Sequence, residues 1–304
     1  MTTLPKPLCG IIPPLVTPLK DRDTLDHPGI ERLVEHVLAG GVHGLFLLGT
    51  TGEAPSLSIR LRREFVEHVC RLVAGRVPVL VGITDTSMVE SLNLAGFAAE
   101  SGAQAVVLSA PHYFPAGQPE LIEYLDGITA KLPLPVFLYN MPSHTKITFG
   151  LELLRRAIEI PKVVGLKDSS GKMLYFNQVL RLRRVRPDWS LLIGPEELLG
   201  ESVLMGGDGG VSGGANLWPR LYVDVYEAAA ARDVERLLAL QDRVMRISET
   251  IYAVGKHSSA VIKGIKCALS CMGICDDYMA DPFRRFQPTE RAQIERYVAE
   301  LNGN

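Results

Sequence analysis

The chain predicts an α/β fold, a (β/α)8 TIM barrel with a C-terminal helical extension, and three observations carry that expectation. Short apolar runs recur at intervals of roughly thirty residues, each is followed by a turn and an amphipathic stretch, and eight such runs precede a tail that is purely helical in pattern. Runs apolar almost throughout are how strands covered by helices on both faces read. Eight β/α units in order imply a closed parallel barrel rather than an open sheet. With 304 residues, 47% hydrophobic and 22% charged, the chain can bury a core of that size and is not intrinsically disordered.

Strands are expected at 10–15, 44–49, 78–83, 105–110, 135–140, 163–168, 190–195 and 209–214. Between them, helical spacing of apolar residues covers 31–38, 60–73, 89–99, 120–130, 151–158, 173–185 and 196–204. The last strand is the weakest, because 206–214 is mostly glycine. Those glycines read either as a phosphate cradle of backbone N–H groups or as close backbone approach where the barrel closes. No Lys or Ser/Thr follows at P-loop spacing, which favours close approach. From Asp233 onward only helices are expected, at 234–254, 259–272 and 289–301. The expected division is therefore a catalytic barrel at 1–231 and a helical region packed on it at 232–304, with Arg232-Asp233 at the boundary.

Lys+Arg 32 against Asp+Glu 34 gives a net charge of -2 with no basic block, which argues against nucleic-acid partners. The N-terminus lacks the charged and apolar regions of a signal peptide, and no apolar run approaches the ~20 residues of a membrane span. A soluble, cytoplasmic protein is expected. Five cysteines are too few for a disulfide framework. Cys267, Cys271 and Cys275 share one helical face and invite a metal reading, yet a closed site wants four ligands and the apolar residues around them favour core packing.

Chemistry in this architecture sits where strands end. The strand ends deliver Thr17, the turn Thr50-Thr51-Gly52-Glu53, His112-Tyr113, Tyr139-Asn140, Lys167-Asp168 and Gly194-Pro195-Glu196-Glu197. A lysine closing a run as apolar as Val163-Val164-Gly165-Leu166 is poorly suited to a solvated surface. Alternation puts Val163, Gly165 and Lys167 on one face, and if that face points inward Gly165 leaves room beside the amine. Desolvation there yields the free amine that attacks ketones; the competing reading is a salt bridge to a barrel carboxylate. Tyr139 could point into the same mouth as a general acid/base or serve as a core tyrosine with one hydrogen-bond partner. Thr50 and Thr51 could hold a carboxylate on the turn's N–H groups or simply cap the turn.

Gly49-Thr-Thr-Gly-Glu, Tyr139-Asn-Met-Pro and Gly165-Leu-Lys-Asp-Ser-Ser-Gly, in that order, resemble the dihydrodipicolinate synthase and N-acetylneuraminate lyase family. The resemblance runs over essentially the whole chain, including Val261-Ile-Lys-Gly-Ile-Lys. It implies a class I pyruvate lyase in which Lys167 forms the Schiff base and Tyr139 transfers protons. It further implies that Thr50 and Tyr113, the latter from a neighbouring subunit, complete a proton relay, and that Thr51 and Val211 contact pyruvate. A dimer or a dimer of dimers follows from Tyr113. His144 stands where the synthases typically carry an arginine for the carboxylate of aspartate semialdehyde, and imidazole cannot make that bidentate contact. Positions of a lysine feedback site are largely replaced, with Thr86 and His112 at two of them. Gly194-Pro-Glu-Glu instead resembles sugar-acid lyases, where acidic groups hold hydroxyls; Glu196 and Glu197 also read as first-turn helix acids.

The resulting expectation is reversible aldol chemistry between pyruvate and an aldehyde, foremost that of a 2-keto-3-deoxy sugar acid, with no metal or organic cofactor. The alternatives are dihydrodipicolinate synthase itself and a non-catalytic ligand-sensing barrel.

Overall fold

The computed structural model describes residues 3–303. Its elements are β1 (Gly10–Ile11), β2 (Leu19–Asp21), β3 (Thr24–Leu25), α1 (His27–Ala39), β4 (Leu45–Leu47), α2 (Ile59–Val73), β5 (Val79–Gly82) and α3 (Met88–Glu100). There follow β6 (Ala105–Ser109), α4 (Gln118–Thr129), β7 (Val136–Asn140), a one-turn α5 (Pro142–Thr145), α6 (Leu151–Glu159), β8 (Val163–Asp168) and α7 (Met173–Arg183). The chain ends in β9 (Ser190–Ile193), α8 (Leu199–Leu204), β10 (Gly209–Gly210), α9 (Pro219–Ala230), α10 (Val234–Thr250), α11 (Ala260–Cys271) and α12 (Pro288–Asn302).

Eight parallel strands form one sheet in the order β1-β10-β9-β8-β7-β6-β5-β4. Its two outer strands meet, because Pro14 bridges Phe46 in parallel and His43 N–H donates to the Ile11 carbonyl at 2.8 Å. The sheet is curled far enough to enclose an inner group of side chains. Ile12, Phe46, Leu80, Val107, Phe137, Tyr139, Val164, Leu192 and Val211 fill it, while a larger core fills the space between sheet and helices. Strand alternation sorts each run between these two cores, which is why the runs are apolar throughout.

One strand breaks its alternation. Val136 pairs with Val163 but Phe137 pairs with Gly165, so Val164 is an extra residue in β8. Val163 therefore faces the outer core and Val164 the inner one, correcting the simple alternation expected for this strand. Gly165 and Lys167 still align with the inward Phe137 and Tyr139. The space above Gly165 is taken by the Phe137 ring, 2.6 Å from where a Cβ would stand, rather than by the amine.

The eight expected strands all form, most of them trimmed at their ends, and four elements were not anticipated. Short β2 and β3 pair antiparallel ahead of α1, α5 is a single turn, and α9 follows the eighth ring strand. Helix α9 begins with Pro219, packs on α8 and α10, and buries Leu221, Tyr222, Val225 and Ala229. Asp233 caps α10 by accepting from Arg236 N–H at 3.1 Å. Cys267 and Cys275 lie buried near the C-terminal end, and burial pushes the Cys275 thiol up to about 12. Among the described residues no helix is long and apolar enough to cross a membrane.

The glycine run brings β10 into close contact with its neighbour β1. A Cβ on Gly209 would stand 2.0 Å from the Gly10 carbonyl oxygen, and its φ of +146° already disfavours any side chain. Gly209→Ala must therefore part β1 from β10 at a cost of about 2 kcal/mol or more. Denaturant unfolding should show a lowered midpoint at unchanged slope; an unaltered midpoint would refute the close-contact reading.

Candidate active site

Lys167 is 6% exposed at the C-terminal end of β8, with no ion-pairing carboxylate among the described residues. This removes the salt-bridge reading. Its Nζ lies 4.1 Å from the centre of the Tyr139 ring and 4.9 Å from that of Phe46. Burial lowers the amine's pKa, while the Tyr139 phenol opposes that shift. Tyr139 sits directly across the strand pair, in register with Lys167. Burial would raise the phenol, but the Lys167 charge together with the Thr50 and Ser169 hydroxyls and the Lys167 hydrogen bond brings it below its usual value. The hydrogen bond between lysine and phenol gives a proton a direct path from one to the other.

Thr50 brings its Oγ1 to 3.4 Å from the Tyr139 hydroxyl. It leads a tight turn in which Glu53 N–H donates to the Thr50 carbonyl and Gly52 N–H to that of Gly49. Thr17 ties the turn to the first strand by donating to the Gly52 carbonyl at 2.7 Å. Glu53 takes the left-handed conformation and points its carboxylate away from Thr50, toward the tail.

A cavity of about 430 Å³ opens above these groups. Phe46 and Tyr139 line it from the sheet, Thr50 and Glu53 from the turn after β4, Thr84 from just past β5, Ser109 from the end of β6, His112 from the loop after β6 and His144 from α5. Ser258, Ser259, Ile262 and Phe283 line it from the tail. Lys167 is not itself among the lining residues, but both rings against its nitrogen are. Hydroxyls, imidazoles and apolar groups make up most of the wall, and no Arg or Lys is among the described lining residues. Burial lowers the His144 pKa, with Lys146 adding to that shift, so its ring is neutral at neutral pH. Ser143 hydrogen-bonds its Nδ1 at 3.0 Å.

A model of the dihydrodipicolinate synthetase family matches residues 7–301. The chain belongs to that family. Within it, a solved dihydrodipicolinate synthase from Bacteroides thetaiotaomicron is 55% identical, with a TM-score of 0.95 over 97% of this chain and 99% of the other. A prophage protein of the family from Escherichia coli K12, solved with pyruvate, is 27% identical with a TM-score of 0.91, covering 97% of this chain and 98% of its own. A protein named as a probable 2-dehydro-3-deoxy-D-pentonate aldolase, also from Escherichia coli K12, is 31% identical over 96% of each chain.

Not every expected residue of this family member meets in one place. Val211 joins the inner group that holds Tyr139, its N–H donating to Ile193. Thr51 belongs to the turn but is not among the cavity-lining residues. Tyr113 stands clear of the cavity, 83% exposed and with a φ of +86°, its ring edge-on to Phe114 at 5.1 Å. Gly194 makes room for Ser169, whose Oγ would lie 1.9 Å from a Cβ there. That small residue lets Ser169 reach the phenol, a contact the sequence motif contained but its reading passed over.

Glu196 is a correction. Its Oε1 accepts from the hydroxyls of Tyr222 at 2.5 Å and Tyr252 at 2.8 Å, and its Oε2 accepts from Gly214 N–H at 2.8 Å. Those donors leave little capacity for substrate hydroxyls, and Glu196 does not line the cavity. Glu197 accepts from Ser248 at 2.6 Å and is likewise turned to the tail. The role missed in the sequence is architectural: α9 and the turn after α10 send tyrosines to one carboxylate at the end of β9. Tyr222 lay in a stretch given no element and Tyr252 in a helical run, where an aromatic residue reads as core, so nothing pointed to their hydroxyls.

Burial pushes the Glu196 carboxyl up to about 7, against the pull of its three donors. In the unfolded chain it ionises near 4.5, so between pH 4.5 and 7 the folded state holds the extra proton. The contribution is fully present below pH 4.5 and is lost as pH rises toward 7, a swing of about 3 kcal/mol. Subtracting the stability of Glu196→Gln from that of the native chain should expose this decline across pH 5–7. A difference that is flat with pH would show that the carboxyl ionises normally.

Proposed function

We propose that this chain is a class I aldolase in which Lys167 captures pyruvate as a Schiff base and the resulting enamine adds to an uncharged, hydroxylated aldehyde, yielding a 2-keto-3-deoxy sugar acid, or cleaves that product. The observation that carries the reading is a buried lysine, without a carboxylate partner, held against a phenol and a threonine hydroxyl under an open cavity. Family membership and a neighbour solved with pyruvate support it.

In the proposed reaction the free Lys167 amine adds to C2 of pyruvate, and Tyr139 delivers the proton that lets the carbonyl oxygen leave as water. The protonated imine draws electrons from C3, whose proton returns to the Tyr139 phenolate. The enamine carbon attacks the aldehyde carbon while the same phenol protonates the aldehyde oxygen, and water then releases the product from Lys167. Thr50 steadies the phenolate, and N–H groups at Thr50-Thr51 hold the pyruvate carboxylate beside Val211. No metal or organic cofactor is called for by this sequence of steps. We take the curled sheet as a (β/α)8 barrel at 1–231, with 232–304 as a helical region completing the site's rim. Tyr113 reaches a second copy in a dimer or dimer of dimers, which sedimentation of the purified chain reads directly. Gly194 serves by admitting Ser169, and His144 faces the aldehyde.

A second reading, dihydrodipicolinate synthase, is favoured by the name of the 55% identical structure. The cavity wall argues for the first: an aldehyde carrying its own carboxylate would be desolvated there without a cationic partner.

Borohydride reduction with pyruvate should add a pyruvyl-derived mass to the peptide holding Lys167, and Lys167→Ala should abolish it. An adduct elsewhere, or none, would reject the Schiff-base reading. With pyruvate saturating, kcat/KM for glyceraldehyde or glycolaldehyde should exceed that for aspartate semialdehyde by about tenfold or more. Comparable turnover of aspartate semialdehyde would establish the synthase instead.

A further inference from the structure

The most deeply buried ion pair among the described residues joins Glu53 and Lys266, whose side chains are 3% and 0% exposed. Lys266 Nζ donates to Glu53 Oε1 at 2.6 Å, and Ala280 N–H donates to Oε2 at 2.9 Å. Lys266 lies on α11, Ala280 on the segment that follows it, and Glu53 ends the turn that begins with Thr50. Replacing a buried ion pair with apolar groups of like volume is often neutral for stability, so the pair's presence needs a reason beyond strength. Geometry supplies one. Glu53 holds φ +56°, an unfavourable conformation for a residue with a side chain, and its N–H closes the turn onto the Thr50 carbonyl. Pulling on that carboxylate fixes where Thr50 Oγ1 stands, and Thr50 is in contact with Tyr139.

We infer that Glu53 and Lys266 are positioning residues for the reaction: the tail helix α11 grips the Thr50–Glu53 turn through this pair and thereby sets the Thr50 hydroxyl against the Tyr139 phenol. The inference rests on the proposed aldolase reading. It gives the tail a role in the proton-transfer steps, in addition to its residues on the cavity wall. The grip acts on the rate of proton movement, the one that expels water included, and leaves the extent of amine capture at saturating pyruvate unchanged, because Lys167 touches neither Glu53 nor Lys266 and is held by Phe46 and Tyr139.

Two variants separate positioning from stability. In Glu53→Gln/Lys266→Met both charges go together, and a Gln oxygen can still accept from Ala280. In Glu53→Asp the charge pair stays but the carboxylate is withdrawn by one methylene, so the turn must shift to keep its partner. Three readouts are taken on each and on the native chain: the extent of borohydride trapping of pyruvate on Lys167, deuterium exchange of the pyruvate methyl, and the pH profile of kcat. We expect trapping at saturating pyruvate to match the native chain, exchange and kcat to fall about tenfold, and the limb belonging to Tyr139 to move to higher pH. Native exchange, kcat and profile in whichever variants fold would overturn the inference, as would parallel loss of trapping and kcat, the mark of a purely structural pair. If the native chain itself traps no pyruvate, the aldolase reading fails and takes this inference with it. If the native chain traps and exchanges normally while the variants do the same, the positioning role alone fails.

Discussion

The desolvation of one lysine without a carboxylate to neutralise it is the constraint on which the rest of the structure depends. A buried ammonium costs several kcal/mol unless it is paired, and Lys167 is given only a phenol and an aromatic face. Its lowered pKa is the outcome. Such a residue needs a frame that does not relax around it. Eight strands joined edge to edge provide that frame, with Phe137 packed into the gap above Gly165 and Val211 across the interior. The bulge at Val164 matters for the same reason, because it lets β8 present an extra apolar side chain inward and still aim Lys167 at Tyr139.

Much of this was legible before any coordinates. Strand runs that stay apolar for four or five residues have few other uses, so an eight-stranded parallel sheet covered by helices followed from pattern, while the inward placement of Lys167 and Tyr139 stood as one of two readings. The same pattern logic missed α9, since the stretch between the eighth strand and Asp233 was given no element. It missed the β2–β3 hairpin because strands of three and two residues, with Lys20 and Asp21 exposed, carry no periodic signal. The bulge was invisible because a run of apolar residues does not say which way each one points. Glu196 misled for a different reason: an acid after a strand reads the same whether it meets a substrate hydroxyl or a tyrosine's, and Tyr222 and Tyr252 lie 26 and 56 residues away. The Glu53–Lys266 pair was hidden by an even longer separation, 213 residues.

The tail changes meaning once it is placed. In sequence it is an appendage with no strand signal, yet Ser258, Ser259, Ile262 and Phe283 reach the cavity wall and Lys266 reaches the turn beneath it. A helical region that builds one side of a cavity is free to vary the cavity without touching the strands that hold the lysine. Under the proposed reaction, that separation would leave amine chemistry to the strand ends and aldehyde recognition to loops and tail, in keeping with how barrels host different reactions on one frame.

The distribution of buried carboxylates completes the argument. Glu53 is held by Lys266 and Ala280, Asp168 by Asn140 and Ser170, Glu196 by two tyrosines and Gly214, and Asp208 by Arg183 and Leu191. Each is saturated by donors of its own, and each anchors a turn or strand end around the ring. None is left to neutralise Lys167 or to repel a bound keto acid. The fold thus spends most of its buried negative charge on architecture, and the cavity wall carries hydroxyls, two imidazoles and, of these acids, only the already paired Glu53. An aldehyde approaching the enamine meets hydrogen-bond partners but no fixed cation. Selectivity under the proposed reaction then falls to how hydroxyls are matched around Thr84, Ser109, His112 and His144, where an unpaired polar group costs more than an absent contact gains.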